Sequence, residues 1–222
     1  MSSWDGKLDN KSQPELLSDC SKLVESLVQE QQDSGMDVTE QSDITDRAVS
    51  VLTFYSKCRA VKYGRGNGWT EIIKPLLTLQ LNRADLYNCF YAIQSRYIPR
   101  ADLSGHVSAA PYHMLRLLLL YHDPELCSFL DTCKITIRSF ASKWFSTLFA
   151  SHCTTAVASA IWDVYLQKSD SFFILFLALV ILVNSKDQVS SSLFIVSVVA
   201  ADNTFRRSFL VENFTFFYKT LF

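Results

Sequence analysis

Six cysteines (Cys20, Cys58, Cys89, Cys127, Cys133 and Cys153) lie scattered, with no CxxC pair among them. That spacing argues against a zinc site and against a disulfide framework, and the six read as reduced core thiols of a cytosolic protein. The N-terminus, MSSWDGKLDN, has no apolar stretch of the kind a secretory signal needs. Charged residues are scarce at 19%, and their balance of −1 gives no ground for general nucleic-acid binding or strong attraction to anionic membrane. Long apolar runs are missing too. Residues 172–183 and 193–201 are each well short of the roughly 20 residues that span a bilayer, and Lys186 and Asp187 lie between them. No HExxH, no GxSxG and no GxxxxGK[ST] occurs, so no metal, hydrolase triad, nucleotide loop or cofactor is implied. Before residue 188 no clean two-residue alternation with hairpin turns is present, which leaves helices.

What the chain does have is apolar residues, 49% of the total, set at helical spacing. Residues 1–13 are polar and read as a loop. Pro14 suits a first helical turn, and Leu16, Leu17, Leu23, Val24, Leu27 and Val28 form a stripe to about Gln29. Residues 29–43 predict an exposed connection, and 44–60 a helix with Val51, Leu52 and Tyr55 inward. The segment YGRGNG, 63–68, holds three of the six glycines, with Trp69 at its exit. Short helices are predicted over 72–79 and 84–97, then a loop over 102–110, then helices over 112–121 and from Asp123-Pro124 to Leu130. Three apolar segments over 140–183 read as the centre of an all-α domain. On the first, Phe140, Trp144, Leu148 and Phe149 share a face, as do Ile161, Tyr165 and Leu166 on the second. The third, 172–183, is apolar all round, as in a helix buried on every side. Residues 188–222 form an atypical tail rich in Phe, Val and Ser, without a clear period.

Chemistry is thinly marked. YGRGNG does not follow a strand, so it reads as a flexible link rather than a phosphate cradle. His106, His113, His122 and His152 read as surface or capping side chains, with His152 and Cys153 on different helix faces. Asp163, inside an apolar segment, is expected to bond a buried donor or cap a helix, because an unpaired buried carboxylate is costly. One cluster suggests binding. Lys57, Arg59, Lys62 and Arg65, followed by Arg83, Arg96 and Arg100, interleave with Tyr55, Tyr63, Trp69 and Tyr97 as a basic, aromatic surface for an acidic peptide. The competing reading is a solvated helix face.

Ile161-Trp162-Asp163 followed by Leu166, and preceded by Leu130-Asp131, Trp144 and Phe149-Ala150, resembles the TBC (Rab-GAP) domain family over residues 14–187. Longer matches resemble one adaptor member of that family: SWDGKLD (3–9), IIKPLL (72–77), ADLYNCFYAI (84–93), RYIPR (96–100), YHDPELCSFLDT (121–132) and FFILFLALVILVNSK (172–186). The resemblance implies an all-α fold, here expected to be incomplete at both ends. It also implies two catalytic fingers, an arginine in IxxDxxR and a glutamine in YxQGM. Here Leu16 and Asp19 keep the first frame, with Lys22 at the arginine position. Tyr63 and Gly66 keep the second, with Arg65 at the glutamine position and Asn67 at the methionine. Lysine lacks the planar guanidinium fork, and arginine has no acceptor with which to orient water. The expectation is a non-catalytic adaptor at the trans-Golgi network that binds golgins on the cytosolic face and on vesicles. It would hold Rab-type small GTPases without hydrolysis; the alternative is weak GTPase activation through Lys22. Partner contacts are expected at Lys57, Arg59, Lys62, Tyr63 and Arg65, and at Trp4 and Asp5 by the same resemblance.

Overall fold

The computed structural model describes residues 12–30, 38–99, 109–168, 170 and 172–184, and these are organised as helices with no strand among them. The chain divides after Ile98 into two units.

The first unit holds α1 (Gln13–Glu30), α2 (Val38–Arg59), a 3-10 turn (Arg65–Asn67), α3 (Trp69–Leu77) and α4 (Arg83–Ala92), which runs on into a π turn (Ile93–Tyr97). Helix α1 packs on α2 and α3, and α4 packs on both of those. Leu16, Cys20, Leu23, Val24 and Leu27 form the buried stripe of α1, three or four residues apart. Leu17, expected in that stripe, is 48% exposed, and Cys20 takes its place. Helix α2 starts at Val38, inside the predicted connection. Its added turn is polar, so no apolar period marks it. An Asp43–Arg47 pair at 3.0 Å, one turn apart, and Glu40 at the positive end of the helix support it instead. The core between α2, α3 and α4 is aromatic. Tyr55 meets Trp69 and Phe90 edge-on, both at 5.1 Å between ring centres, and Trp69 lies 5.7 Å from Tyr63. Lys74 Nζ, 2.7 Å from a Glu30 carboxylate oxygen, ties α3 to the end of α1.

The second unit holds α5 (Ala110–His122), α6 (Pro124–Thr132), α7 (Ile137–Thr147), α8 (Thr155–Lys168) and α9 (Phe173–Asn184). Helix α5 packs on α6, α7 and α9, and α9 also packs on α7 and α8. Asp123 ends α5 and opens α6, its carboxylate accepting from Leu126 N–H at 3.0 Å. Phe140 and Trp144 share a face of α7, 5.3 Å apart. Leu148 and Phe149 do not continue that face. Helix α7 stops at Thr147, and both residues enter the left-handed region, with φ 47° and 66°. They are still buried, at 2% and 1% exposure, because the turn folds them back onto the helix; Phe149 N–H donates to Trp144 C=O at 3.0 Å. Trp162 then reaches across from α8, its Nε1–H donating to the Leu148 carbonyl at 2.9 Å.

Three other expectations need correction here. Leu166 is 37% exposed, so the inner face of α8 is Ala158, Ile161, Trp162 and Tyr165. Helix α9 is not buried on every side, since Phe176 is 48% exposed, and Phe172 just before it is exposed as well. Asp163 is exposed, so it neither bonds a buried donor nor carries a desolvation cost. No described helix is long and apolar enough to cross a membrane.

The Trp162 bond yields a test. Trp162→Phe keeps most of the ring but leaves the Leu148 carbonyl buried without its donor, which costs about 1–3 kcal/mol. Urea unfolding followed by circular dichroism should show a lower midpoint with an unchanged slope.

Candidate functional site

The two segments that the resemblance sets against the fingers, 16–22 and 63–67, meet in the first unit. On α1, Leu16, Asp19 and Lys22 follow one another three residues apart, and their environments differ. Leu16 is fully buried, the Asp19 side chain is 14% exposed, and Lys22 faces solvent. The second segment leaves α2 at Arg59, passes through an extended stretch and closes in the 3-10 turn. Asn67 N–H donates to Gly64 C=O at 2.9 Å, and Asn67 Nδ2 donates to Lys62 C=O at 3.0 Å. Gly68 then takes φ 72° as the chain enters α3, a conformation that glycine adopts without Cβ strain.

This turn lies against α1. Tyr63 Oη donates to Asp19 Oδ2 at 2.9 Å, and Arg65 Nε lies 3.2 and 3.1 Å from Asp19 Oδ1 and Oδ2. Arg65 Nε is also 3.3 Å from Glu15 Oε1, one turn earlier on α1. One carboxylate therefore holds both the tyrosine and the arginine of the second motif. Burial, and then the hydrogen bond and charge of Asp19, push the Tyr63 phenol well above its ordinary range, so it stays a donor. The Asp19 hydrogen bond and charge likewise raise Arg65. Burial, helped by the charge of Asp19, pushes the neighbouring Cys20 thiol up to about 12. Arg65 is exposed, so its ion pairs add little to stability on their own. Their effect is on availability: the guanidinium already faces two carboxylates of its own chain.

The remaining candidates separate into core and surface. Tyr55, Tyr63 and Trp69 are buried, so these three aromatics of the expected basic surface belong to the hydrophobic core, while Tyr97 is half-buried. Lys57, Arg59 and Lys62 are exposed, with the Arg59 guanidinium 5.5 Å above the Tyr91 ring. Arg83 and Arg96 are exposed as well. Trp4, Asp5, Arg100 and His106 lie outside the described residues. In the second unit, Trp144, Ile161 and Trp162 are core side chains. His113 and His122 are on the surface. His152 is not: it is buried in the turn between α7 and α8, its Nδ1 2.6 Å from Ser151 Oγ, and Cys153 beside it is also buried, in a turn rather than on a helix face. The cysteines are free thiols, but only Cys20, Cys127 and Cys153 are core residues; Cys58 is exposed. Among the described residues no three His, Cys, Asp or Glu side chains gather as a metal site. Glu15 was missed in the sequence. Its signal was spacing, a second carboxylate one helical turn before Asp19.

A family model described as the Rab-GTPase-TBC domain matches residues 8–189. The crystal structure of the Ypt/Rab-GAP domain of Gyp1p superposes with a TM-score of 0.61 and 13% identity, covering 95% of this chain and 80% of that one. At that identity the likeness is one of fold.

Two properties of this part of α1 are measurable. Tyr63→Phe should lower stability by about 1–3 kcal/mol, because Asp19 loses a donor in a mostly buried position. The Cys20 thiol keeps its proton in the folded chain to about 12 but loses it near 9 when unfolded. Its contribution to stability is therefore complete below pH 9 and declines as pH rises from there toward 12. Urea midpoints measured across that range should fall less steeply for Cys20→Ala than for the parent chain.

Proposed function

We propose, for a chain that belongs to the Rab-GTPase-TBC domain family, a role as an interaction module that engages its partners without accelerating GTP hydrolysis. The observation that carries this reading is the engagement of Arg65 by Asp19 and Glu15. A finger must place charge, or a water-orienting amide, where the transition state develops. Arg65 offers no acceptor to a water, and its guanidinium is held by its own chain. Lys22, at the position of the first finger, is an exposed point charge without a bidentate fork.

Within the family, the matches quoted above resemble TBC domain family member 23. On that resemblance the partners are golgins, the setting is endosome-to-trans-Golgi vesicle tethering at the cytosolic face, and Rab-type GTPases are bound without hydrolysis. Exposed Lys57, Arg59 and Lys62 are the cations offered to an acidic golgin segment.

Single-turnover GTP hydrolysis across a panel of Rab proteins tests the first half. An arginine finger supplies roughly 10³–10⁵-fold, whereas this chain should leave intrinsic rates unchanged. Acceleration that Lys22→Ala abolishes would restore the catalytic reading and overturn the proposal. Pull-down with acidic golgin N-terminal peptides tests the second half; binding should weaken on Lys62→Glu.

A further inference from the structure

We propose that a groove in the second unit, bounded by α5, α6 and α7, is a docking site for a short acidic peptide segment of a partner protein. The groove has a volume of about 480 Å³. Its floor is apolar and buried, with Tyr112, Leu130 and Ile135 at 6%, 3% and 8% exposure. Its rim is cationic: Arg116 from α5, Lys134 from the turn between α6 and α7, and Arg138 from α7, with Asp131 the one carboxylate among the lining residues. This excess sits on a chain whose overall charge is −1, so it is a local feature and not a basic surface at large.

The rim cations are unequally engaged. Arg116 Nη2 is 2.6 Å from Asp131 Oδ2, which orients its guanidinium across the groove. Arg138 lies 5.9 Å above the Tyr112 ring and makes no ion pair among the described residues. The Lys134 side chain makes no ion pair there either; its backbone sits at φ 57°, the left-handed position after a helix that glycine fills at least cost, with its N–H donating to Asp131 C=O at 3.0 Å. The turn around it is tightly bonded, Ile135 N–H donating to Leu130 C=O at 2.9 Å. Lys134 is exposed at the groove edge, and its ammonium is uncommitted to any carboxylate among the described residues.

The layout selects the occupant. Membrane binding needs apolar groups that protrude beyond the cations, and here they are recessed beneath them. Stacking of nucleic-acid bases needs open ring faces, and the Tyr112 ring is buried and faced by Arg138. An apolar side chain seated on the floor, with carboxylates on either side meeting Arg138, Lys134 and Arg116, satisfies both layers. The site is independent of the golgin reading, which rests on cations of the first unit.

The test uses the full chain and a fluorescein-labelled synthetic peptide with one leucine flanked on both sides by glutamates, read by anisotropy. Binding is expected to weaken by about tenfold or more in Arg138→Glu and to fall as salt is raised. It should also fall when the glutamates are replaced by glutamines or the leucine by alanine. Lys134→Gly supplies the internal control: relief of the left-handed strain should raise the melting temperature by on the order of 2 °C while binding weakens. The proposal is overturned if Lys134→Gly and Arg138→Glu bind as the parent does, or if the glutamine peptide binds equally well. It is also overturned if Lys62→Glu abolishes binding instead. Competition by inorganic phosphate with no effect of the leucine change, or an Arg138-dependent affinity for anionic vesicles in place of the peptide, would overturn it in favour of those ligands.

Discussion

The Asp19 carboxylate has to be satisfied, and that requirement shapes the first unit. The side chain is mostly covered, so its oxygens need donors from the protein, and the donors come from more than forty residues away in sequence. Bringing Tyr63 and Arg65 to Asp19 fixes the 3-10 turn against α1. The same placement drives the Tyr63 ring into the aromatic cluster with Trp69, Tyr55 and Phe90. The polar contact and the hydrophobic core are thus two sides of one side chain. The Arg65 guanidinium, though exposed, faces Asp19 and Glu15 of its own chain in this arrangement.

The second unit solves a comparable problem with backbone. Between α7 and α8 two bulky residues, Leu148 and Phe149, accept left-handed conformations. Strain of that kind persists only where surrounding structure over-determines it. Here burial of both side chains and the Trp162 bond to the Leu148 carbonyl supply the compensation. Lys134, like Ala60 and Gln80, takes the same conformation at an exposed helix end, where a single bond from its N–H to the Asp131 carbonyl at 3.0 Å closes the turn.

Periodicity made the helices legible. Most of the buried stripe of α1 and the Asp123-Pro124 start of α6 could be read because burial repeats every three to four residues and because capping chemistry is local. Boundaries were less legible where the chain is polar, as in the first turn of α2, or apolar past the helix end, as at Leu148 and Phe149. In those places an extra turn or a left-handed residue leaves no mark on the hydrophobic pattern. Exposure within apolar runs was also misjudged: Phe176 and Asp163 both face outward, because a helix packed on only some of its sides has a solvent face whatever residues occupy it.

The sequence by itself determined the all-α class and the helical segments, since each depends on side-chain identity and near-neighbour spacing. Only the tertiary structure decided that Tyr63, Tyr55 and Trp69 are core instead of surface, that Asp19 joins both motifs, and that Arg116, Lys134 and Arg138 ring one groove. These facts rest on contacts between segments distant along the chain, and they follow from which polar groups each buried carboxylate or apolar face finds when the helices close. That is set by packing in three dimensions, which no local spacing encodes.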